Sequence, residues 1–390
     1  MKVLIITETL LDGGSELFAL RLTRALRQYG IDASLLSLNK RYENTVMTDS
    51  FRDIPIQRLS LPFYPLLHLA DKLLLKLKID FSIRYFLQSK QLGRILGNYE
   101  VVHSHYIQAD YLLARLKSRF SFKLVVTQHG DYTSQYSYFK KGQLRFWLHL
   151  DKKLNYLSAL VDQWVVIAAE QFRFLQEVMQ VPADRIQQIY NGFPVPADLI
   201  ARKDNAHPFT IGMLARGIPE KGWEDLIEVF RQLPGNNCLL LVGWSDYLAG
   251  LKQKYGADSR IHFTGFSTQP VGWLSKMDCF VLPTVYAGES LPNAIVEALY
   301  CGLPVIASDI GEIAAMITDP QTGQKAGLLL QVKNGKIDRN ELYEHLLYLL
   351  YHPSQLHQMA QTATAAFERF TMERCVTQYR ELYRRIIDKN

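Results

Sequence analysis

The chain has 390 residues, of which 48% are hydrophobic and 21% charged. That is long enough for two domains with their own cores and too apolar for a disordered chain. Its net charge of +6 is uneven, with a balance of +7 in residues 1–200 and −1 in the rest, and its four scattered cysteines (Cys238, Cys279, Cys301, Cys375) have no paired spacing, which argues against a disulfide framework or a structural zinc site and makes a reducing cytoplasm the default.

Residues 1–7 enter a short apolar strand directly, with no signal peptide in view, and no run of about 18 uncharged apolar residues is present to cross a bilayer. A glycine loop follows, then an amphipathic helix over 15–29 with Leu17, Leu20, Ala25 and Leu26 at helical intervals and Gly30 as its stop. Further strands are expected at 33–38, 101–103, 123–127 and 164–168, separated by helices such as 109–116 and 171–179. Asn191-Gly192 and two prolines then punctuate the chain, and the polar stretch 203–207 suggests a linker. The pattern restarts with strands at 209–214, 238–242, 262–263, 279–282 and 304–307, and no internal repeat appears. This alternation predicts two α/β domains with parallel sheets, 1–196 and 197–370, whose strand ends would face a central cleft.

The stretch from Gly288 to Leu299 carries the most chemistry. Pro292 suits a helix start, where free amides and the helix dipole favour an anion. Glu289 precedes that start, and Glu297 falls about 8 Å further along the axis. Carboxylates are poor partners for phosphate but good acceptors for sugar and ribose hydroxyls. A nucleotide-sugar fits that spacing; so does a surface helix with two unrelated acids.

This block resembles the Glu, seven residues, Glu signature of the retaining glycosyltransferases of family 4, which have the GT-B fold. Residues 212–222, with Arg216 and Lys221, resemble the family's segment that binds the donor diphosphate. Gly265-Phe266 is similar to its turn against the nucleobase, and 302–307 to the strand entry after the signature helix. Asp12-Gly13-Gly14 resembles its first glycine loop, and Thr127-Gln128-His129-Gly130 its Thr-x-His segment. The resemblance implies a catalytic set of His129, Glu289, Arg216 and Lys221. It also implies donor contacts from Gly13, Gly14, Gly265, Phe266, Ser290, Leu291, Pro292, Asn293 and Glu297. His103 and His105 are expected to be structural or acceptor-side, and Asn191-Gly192 a turn. A last helix, about 371–390, would pack back on the first domain.

By that resemblance the chain would move a sugar, with retention, from a UDP- or GDP-sugar to a glycan or lipid-linked acceptor in bacterial cell-surface polysaccharide or glycolipid synthesis. It would do so with no metal and no other cofactor, because no Asp-x-Asp pair is present, and with no nucleic-acid partner. Rival readings are a GT-B phosphorylase or epimerase, and an inactive carbohydrate-binding subunit. Segment 61–95 mixes aromatic and aliphatic residues with six basic ones against Asp71 and Asp80, a local balance of +4. It is expected either to lie on an anionic membrane surface, from the cytoplasmic side, or to cover the sheet as an ordinary helix pair.

Overall fold

The computed structural model describes residues 1–11, 13–130, 132–141, 148–195, 208–267 and 269–389. The chain divides into two compact units, Met1–Pro194 with Met372–Asn390, and Val195–Thr371. The expected boundary at 196/197 and the linker stretch 203–207 lie outside the described residues, as does Asp12.

Unit 1 is built on seven parallel strands: β1 (Lys2–Thr7), β2 (Asp32–Ser37), β3 (Ile56–Arg58), β4 (Val101–Ser104), β5 (Lys123–Gln128), β6 (Gln163–Val166) and β7 (Ile186–Gln188). Their order across the sheet is β3-β2-β1-β4-β5-β6-β7. The strands are apolar almost throughout because both faces are covered. Alternation along each strand divides the core: Val3, Ile5, Val125 and Val165 face one layer, while Leu4, Ile6, Val126 and Val166 face the other.

Helices α1 (Gly14–Gln28), α2 (Thr45–Asp49), α3 (Tyr64–Lys76), α4 (Ile83–Leu92), α5 (Ile107–Leu116), α6 (Tyr132–Lys140), α7 (Leu150–Leu160) and α8 (Ala169–Arg173) complete the unit. Ser82 caps α4 by accepting from the Tyr85 amide, and Pro65 starts α3 without loss of an internal bond. The helix expected over 171–179 is α-helical only to Arg173. It then widens into a π-turn, Phe174–Val178, where the Met179 amide bonds the Phe174 carbonyl; Phe174, Leu175 and Met179 are buried there. The short strands β3 and β7, three residues each, were absent from the expectation because so few residues carry no period.

Unit 2 repeats the plan with β8 (Thr210–Leu214), β9 (Cys238–Val242), β10 (Ile261–Gly265), β11 (Cys279–Leu282), β12 (Val305–Ser308) and β13 (Gly327–Leu330), in the order β10-β9-β8-β11-β12-β13, all parallel. A hairpin, β14 (Val332–Lys333) and β15 (Lys336–Ile337), follows. The helices are α9 (Trp223–Phe230), α10 (Asp246–Tyr255), α11 (Pro270–Leu274), α12 (Asn293–Tyr300), α13 (Ile313–Met316), α14 (Arg339–Tyr351) and α15 (Pro353–Phe367).

The last helix, α16 (Met372–Asp388), returns to unit 1 and buries Val376, Tyr379, Leu382 and Tyr383 against α1 and the sheet. Asn191-Gly192 serves this return and is not simply a turn. A Cβ on Gly192 would stand 2.8 Å from the Met372 Cα, and the Met372 amide donates to the Phe193 carbonyl at 3.0 Å.

Both sheets reverse strand order once, between β1 and β4 and between β8 and β11. In open α/β sheets, ligands bind outside the strand carboxyl ends at such a switch point.

Candidate active site

Unit 2 gathers most of the expected donor residues around its own switch point. Arg216 and Lys221 follow β8, and Thr284, Tyr286 and Glu289 follow β11. Between β8 and α9 the chain forms a short 3-10 turn, Pro219–Lys221, which ends at Gly222 with φ +82°. A Cβ there would meet the Pro283 carbonyl at 2.2 Å, so glycine alone lets the two loops close on each other. Backbone bonds fasten them, with the Val285 amide donating to the Glu220 carbonyl at 2.7 Å.

That closure brings Lys221 onto Glu289. The ammonium donates to Glu289 Oε2, and both side chains are less than a tenth exposed. Thr284 Oγ1 lies 3.2 Å from the same carboxylate oxygen. The Lys221 ammonium also stands 5.0 Å from the centre of the Tyr286 ring, and the Arg216 guanidinium 5.2 Å from it. Arg216 is exposed and has no carboxylate partner among the described residues, while its carbonyl accepts from Trp223 Nε1 at 3.0 Å. So the site holds one neutralised cation inside and one unneutralised cation at the surface.

The segment after Glu289 behaves as a helix entry with one adjustment. Pro292 is the cap and α12 begins at Asn293, one residue later than a proline at the first helical position would give. Ser290 is buried, and its hydroxyl has no hydrogen-bond partner among the described residues. Leu291 is half-buried, Pro292 buried and Asn293 exposed. Glu297 is buried on α12 beside the core residues Ile295 and Leu299. The loop after β12 closes over Glu289 from the other side. Gly311, at φ +57°, would place a Cβ 2.0 Å from the Glu289 carbonyl, and the Glu312 amide donates to the Ser290 carbonyl at 2.9 Å.

At the ends of β9 and β10 two aromatics stand out from the surface, Trp244 at 68% and Phe266 at 78% exposure. Gly265 turns the chain with φ +85°, and the Gly243 amide donates to its carbonyl at 3.0 Å.

The remaining expected residues belong to unit 1. His129 follows β5, half-buried, and its Nε2 lies 2.7 Å from His105 Nδ1 with the rings stacked. Burial pushes the His129 pKa down to about 4 and holds those of His105 and His103 well below the usual value. His103 is a satisfied core group, bonded at 2.7 Å to both Tyr383 OH and Thr127 Oγ1. His105 differs: its Nε2 is buried and has no partner among the described residues.

The neighbour that a Cβ on Gly13 would meet is the Glu16 carboxylate, at 2.0 Å. Thr9 and Ser15 donate to that carboxylate and hold it at the start of α1. Gly14 is the first residue of α1.

Sequence reasoning missed Thr284, Tyr286, Trp244 and Gly311. The signal for Thr284 and Tyr286 was their place just past a strand end; nothing local marked Gly311. Among the described residues no group of three or more His, Cys, Asp or Glu could hold a metal ion, and no helix is long and apolar enough to cross a membrane.

Comparison with known proteins adds the family. Residues 12–195 match the model for Glycosyltransferase Family 4, and residues 208–352 that for Glycosyl transferases group 1. The chain is 24% identical over 315 residues to a lipopolysaccharide core biosynthesis glycosyltransferase of Rhizobium meliloti, covering 76% of this chain and 75% of that one. It is 31% identical over 173 residues to a Vi polysaccharide biosynthesis protein of Salmonella typhi. That match spans 43% of this chain and only 29% of the relative's length. The Anabaena protein HepE, solved with UDP, shares the fold at a TM-score of 0.74 and 19% identity, over 99% of this chain and 100% of that one. With one family model on each unit and a GT-B fold over nearly its whole length, the chain belongs to the family 4, group 1 glycosyltransferases.

Proposed function

We propose that this glycosyltransferase takes a sugar from a UDP- or GDP-sugar, with retention of anomeric configuration and without a metal. The acceptor is a glycan or a lipid-linked sugar of a bacterial cell-surface polysaccharide or glycolipid. The observation that carries the donor reading is the buried Lys221–Glu289 pair beneath the unneutralised Arg216, at the switch point of unit 2. An arriving diphosphate would share Lys221, take Arg216 outright and meet the first-turn amides of α12, those of Asn293 and Ala294. These cations would do the electrostatic work on the leaving group that a metal does elsewhere.

Glu289 would hold the sugar hydroxyls and Glu297 the ribose. The exposed ring of Phe266, beside Gly265, offers a face for the base. Relatives solved with UDP and UDP-glucose support the donor class. The resemblance assigns His129, Gly13 and Gly14 to the donor too. A thermal-shift titration with UDP and GDP tests the donor site: the melting temperature should rise with one of them. No rise with either sinks the reading. Turnover unchanged by a chelator and an axial or equatorial product matching the donor test the other two claims.

A membrane surface is the second part. On α3 the residues Leu66, Leu69, Leu73 and, just past it, Leu77 form an outward stripe, each more than half exposed, with Phe63 at 75%. Lys72, Lys76 and Lys78 flank it. Apolar side chains with a basic border suit an anionic bilayer. Co-sedimentation with vesicles containing anionic lipid should fall when Leu69 and Leu73 become Ser. Equal pelleting of both proteins would remove the membrane from the proposal.

A further inference from the structure

Three histidines gather just at and beyond the ends of β4 and β5. The centre of the His105 ring lies 4.2 Å from that of His103 and 5.0 Å from that of His129. Phe18 of α1 meets both His105 and His129 edge-on. His103 is held at both nitrogens, by Tyr383 OH of α16 and by Thr127 Oγ1 at 2.7 Å each, and Tyr379 OH lies 3.0 Å from the same Thr127 oxygen. Helices α1 and α16 thus fix the rings around His105, whose Nδ1 meets His129 Nε2 at 2.7 Å.

A bond between two imidazole nitrogens needs one proton between them. Burial disfavours the charged form of both rings, so each is neutral in neutral solution and carries a single N–H. Two arrangements satisfy the bond. In one, His105 Nδ1–H donates, which leaves His105 Nε2 bare and puts the other proton on His129 Nδ1. In the second, His129 Nε2–H donates, His105 carries its proton on Nε2, and His129 Nδ1 is bare. The surroundings of His105 Nε2 choose between them, because that atom is buried with no hydrogen-bond partner among the described residues. His105 forms part of the wall of a cavity of about 250 Å³ with Thr7, Glu8, Thr9, Ser15, Glu16 and Tyr106. That wall is rich in acceptors and short of donors. Thr9 and Ser15 give their hydroxyl protons to Glu16, and Tyr106 hydrogen-bonds to Glu8. Only the Thr7 hydroxyl is left without a partner among the described residues of the wall. An N–H on His105 Nε2 matches two carboxylates; a bare lone pair does not.

We propose that His105 is a positioning residue for His129: its Nδ1 accepts the His129 Nε2 proton and so leaves His129 Nδ1 as a bare acceptor for a ligand hydroxyl. His129 then receives a hydrogen bond from a sugar hydroxyl and has no N–H to offer an oxyanion. That the hydroxyl belongs to the donor sugar rests on the reading above; the place of the proton does not.

Nitrogen-15 spectra of the full chain with ring-labelled histidine, recorded without nucleotide or acceptor, test this. The His129 signals are those lost in His129→Gln. Nε2 of His129 should show the shift of a protonated ring nitrogen and Nδ1 that of a bare one. A protonated Nδ1, or the averaged shifts of two exchanging tautomers, overturns the proposal. Two variants separate positioning from packing. His105→Phe keeps a ring against His103 and His129 but has no acceptor, while His105→Asn loses the ring and can place an amide oxygen where Nδ1 was. His105→Phe should lose the tautomer preference and roughly tenfold in kcat, the worth of one hydrogen bond. His105→Asn should recover most of both. The reverse order, with His105→Phe active and His105→Asn impaired, would make His105 a packing residue and overturn the proposal. The parent spectrum decides the place of the proton even where a variant fails to fold. It needs no donor, so its outcome and that of the nucleotide thermal shift in unit 2 are separate results.

Discussion

Lys221 and Glu289, 68 positions apart in the chain, form an ion pair in which each side chain is less than a tenth exposed. Removing one partner from such a pair leaves the other charge buried and uncompensated, at a cost of about 3–5 kcal/mol. Glu289→Ala should therefore lower the melting temperature by on the order of 10 °C, given roughly 2–4 °C per kcal/mol for a unit of this size. Glu289→Gln keeps an acceptor oxygen for Lys221 and should lose markedly less. The double variant Lys221→Met, Glu289→Met removes both charges and should regain much of the stability while transfer stays absent. Differential scanning calorimetry on the three variants checks this order. A fully stable Glu289→Ala would show that the pair is not a buried charge pair.

Arg216 presents the opposite case. Its guanidinium is exposed, rests over Tyr286 at 5.2 Å and meets no carboxylate among the described residues. Truncation should cost little folding stability, within about 0.5 kcal/mol, since only surface contacts are lost. The effect on transfer should be large, on the order of 10²-fold in kcat/KM, if Arg216 faces charge that develops on the leaving diphosphate. Arg216→Lys should fall between, because an ammonium cannot bond two phosphate oxygens in one plane. A kinetic loss that tracks a loss of melting temperature would argue for a structural role instead.

These two residues mark how far the sequence carries. The strand at 279–282 and the helix after Pro292 were readable because apolar runs and a proline-led start are local signals. The two-unit α/β layout followed from repeating those signals along the chain. What stayed hidden depends on contacts between distant segments. Nothing near Lys221 says that it folds onto Glu289, and nothing near Gly222 says that the Pro283 carbonyl lies against it. The basic, aromatic segment 61–95 shows the same limit. Its composition fits two outcomes and says nothing of which side chains turn in: Asp71 is drawn inward to Arg84, while Leu66, Leu69 and Leu73 face outward.

The paired imidazoles of His105 and His129 give unit 1 a weakness to acid. Burial holds the His129 pKa at about 4, against about 6.5 for a free histidine. Between those values the unfolded chain binds a proton that the folded chain refuses, so stability falls as pH drops from about 6.5 towards 4. At about 1.4 kcal/mol per unit, the loss from this group is at most about 3.5 kcal/mol. His129→Gln, which cannot titrate, should show a shallower fall in melting temperature than the parent across that window. Parallel curves for the two proteins from pH 7 to pH 4 would mean that His129 carries a proton in the folded state.

Gly311 supplies the most local test of how the donor loops are held together. Its φ of +57° is a conformation that side chains other than glycine rarely adopt, and a Cβ would lie 2.0 Å from the Glu289 carbonyl oxygen. Backbone cannot yield as the end of a side chain can, so Gly311→Ala must push the loop after β12 away from the one after β11. The unfavourable backbone angle alone costs roughly 1–2 kcal/mol, and the clash adds to it. Displacing the Glu289 backbone also moves its carboxylate relative to Lys221, and a shift of about 1 Å can cost on the order of 10²-fold in rate. Gly311→Ala should therefore lose both stability and transfer, and with them the thermal shift from nucleotide. Gly323→Ala supplies the control. It has a similar φ of +72° but nothing within 4 Å of its Cβ, so it should lose some stability and keep nucleotide binding. Equal loss of the nucleotide shift in both variants would mean that backbone strain, and not the packing of Gly311 on Glu289, is what the donor site feels.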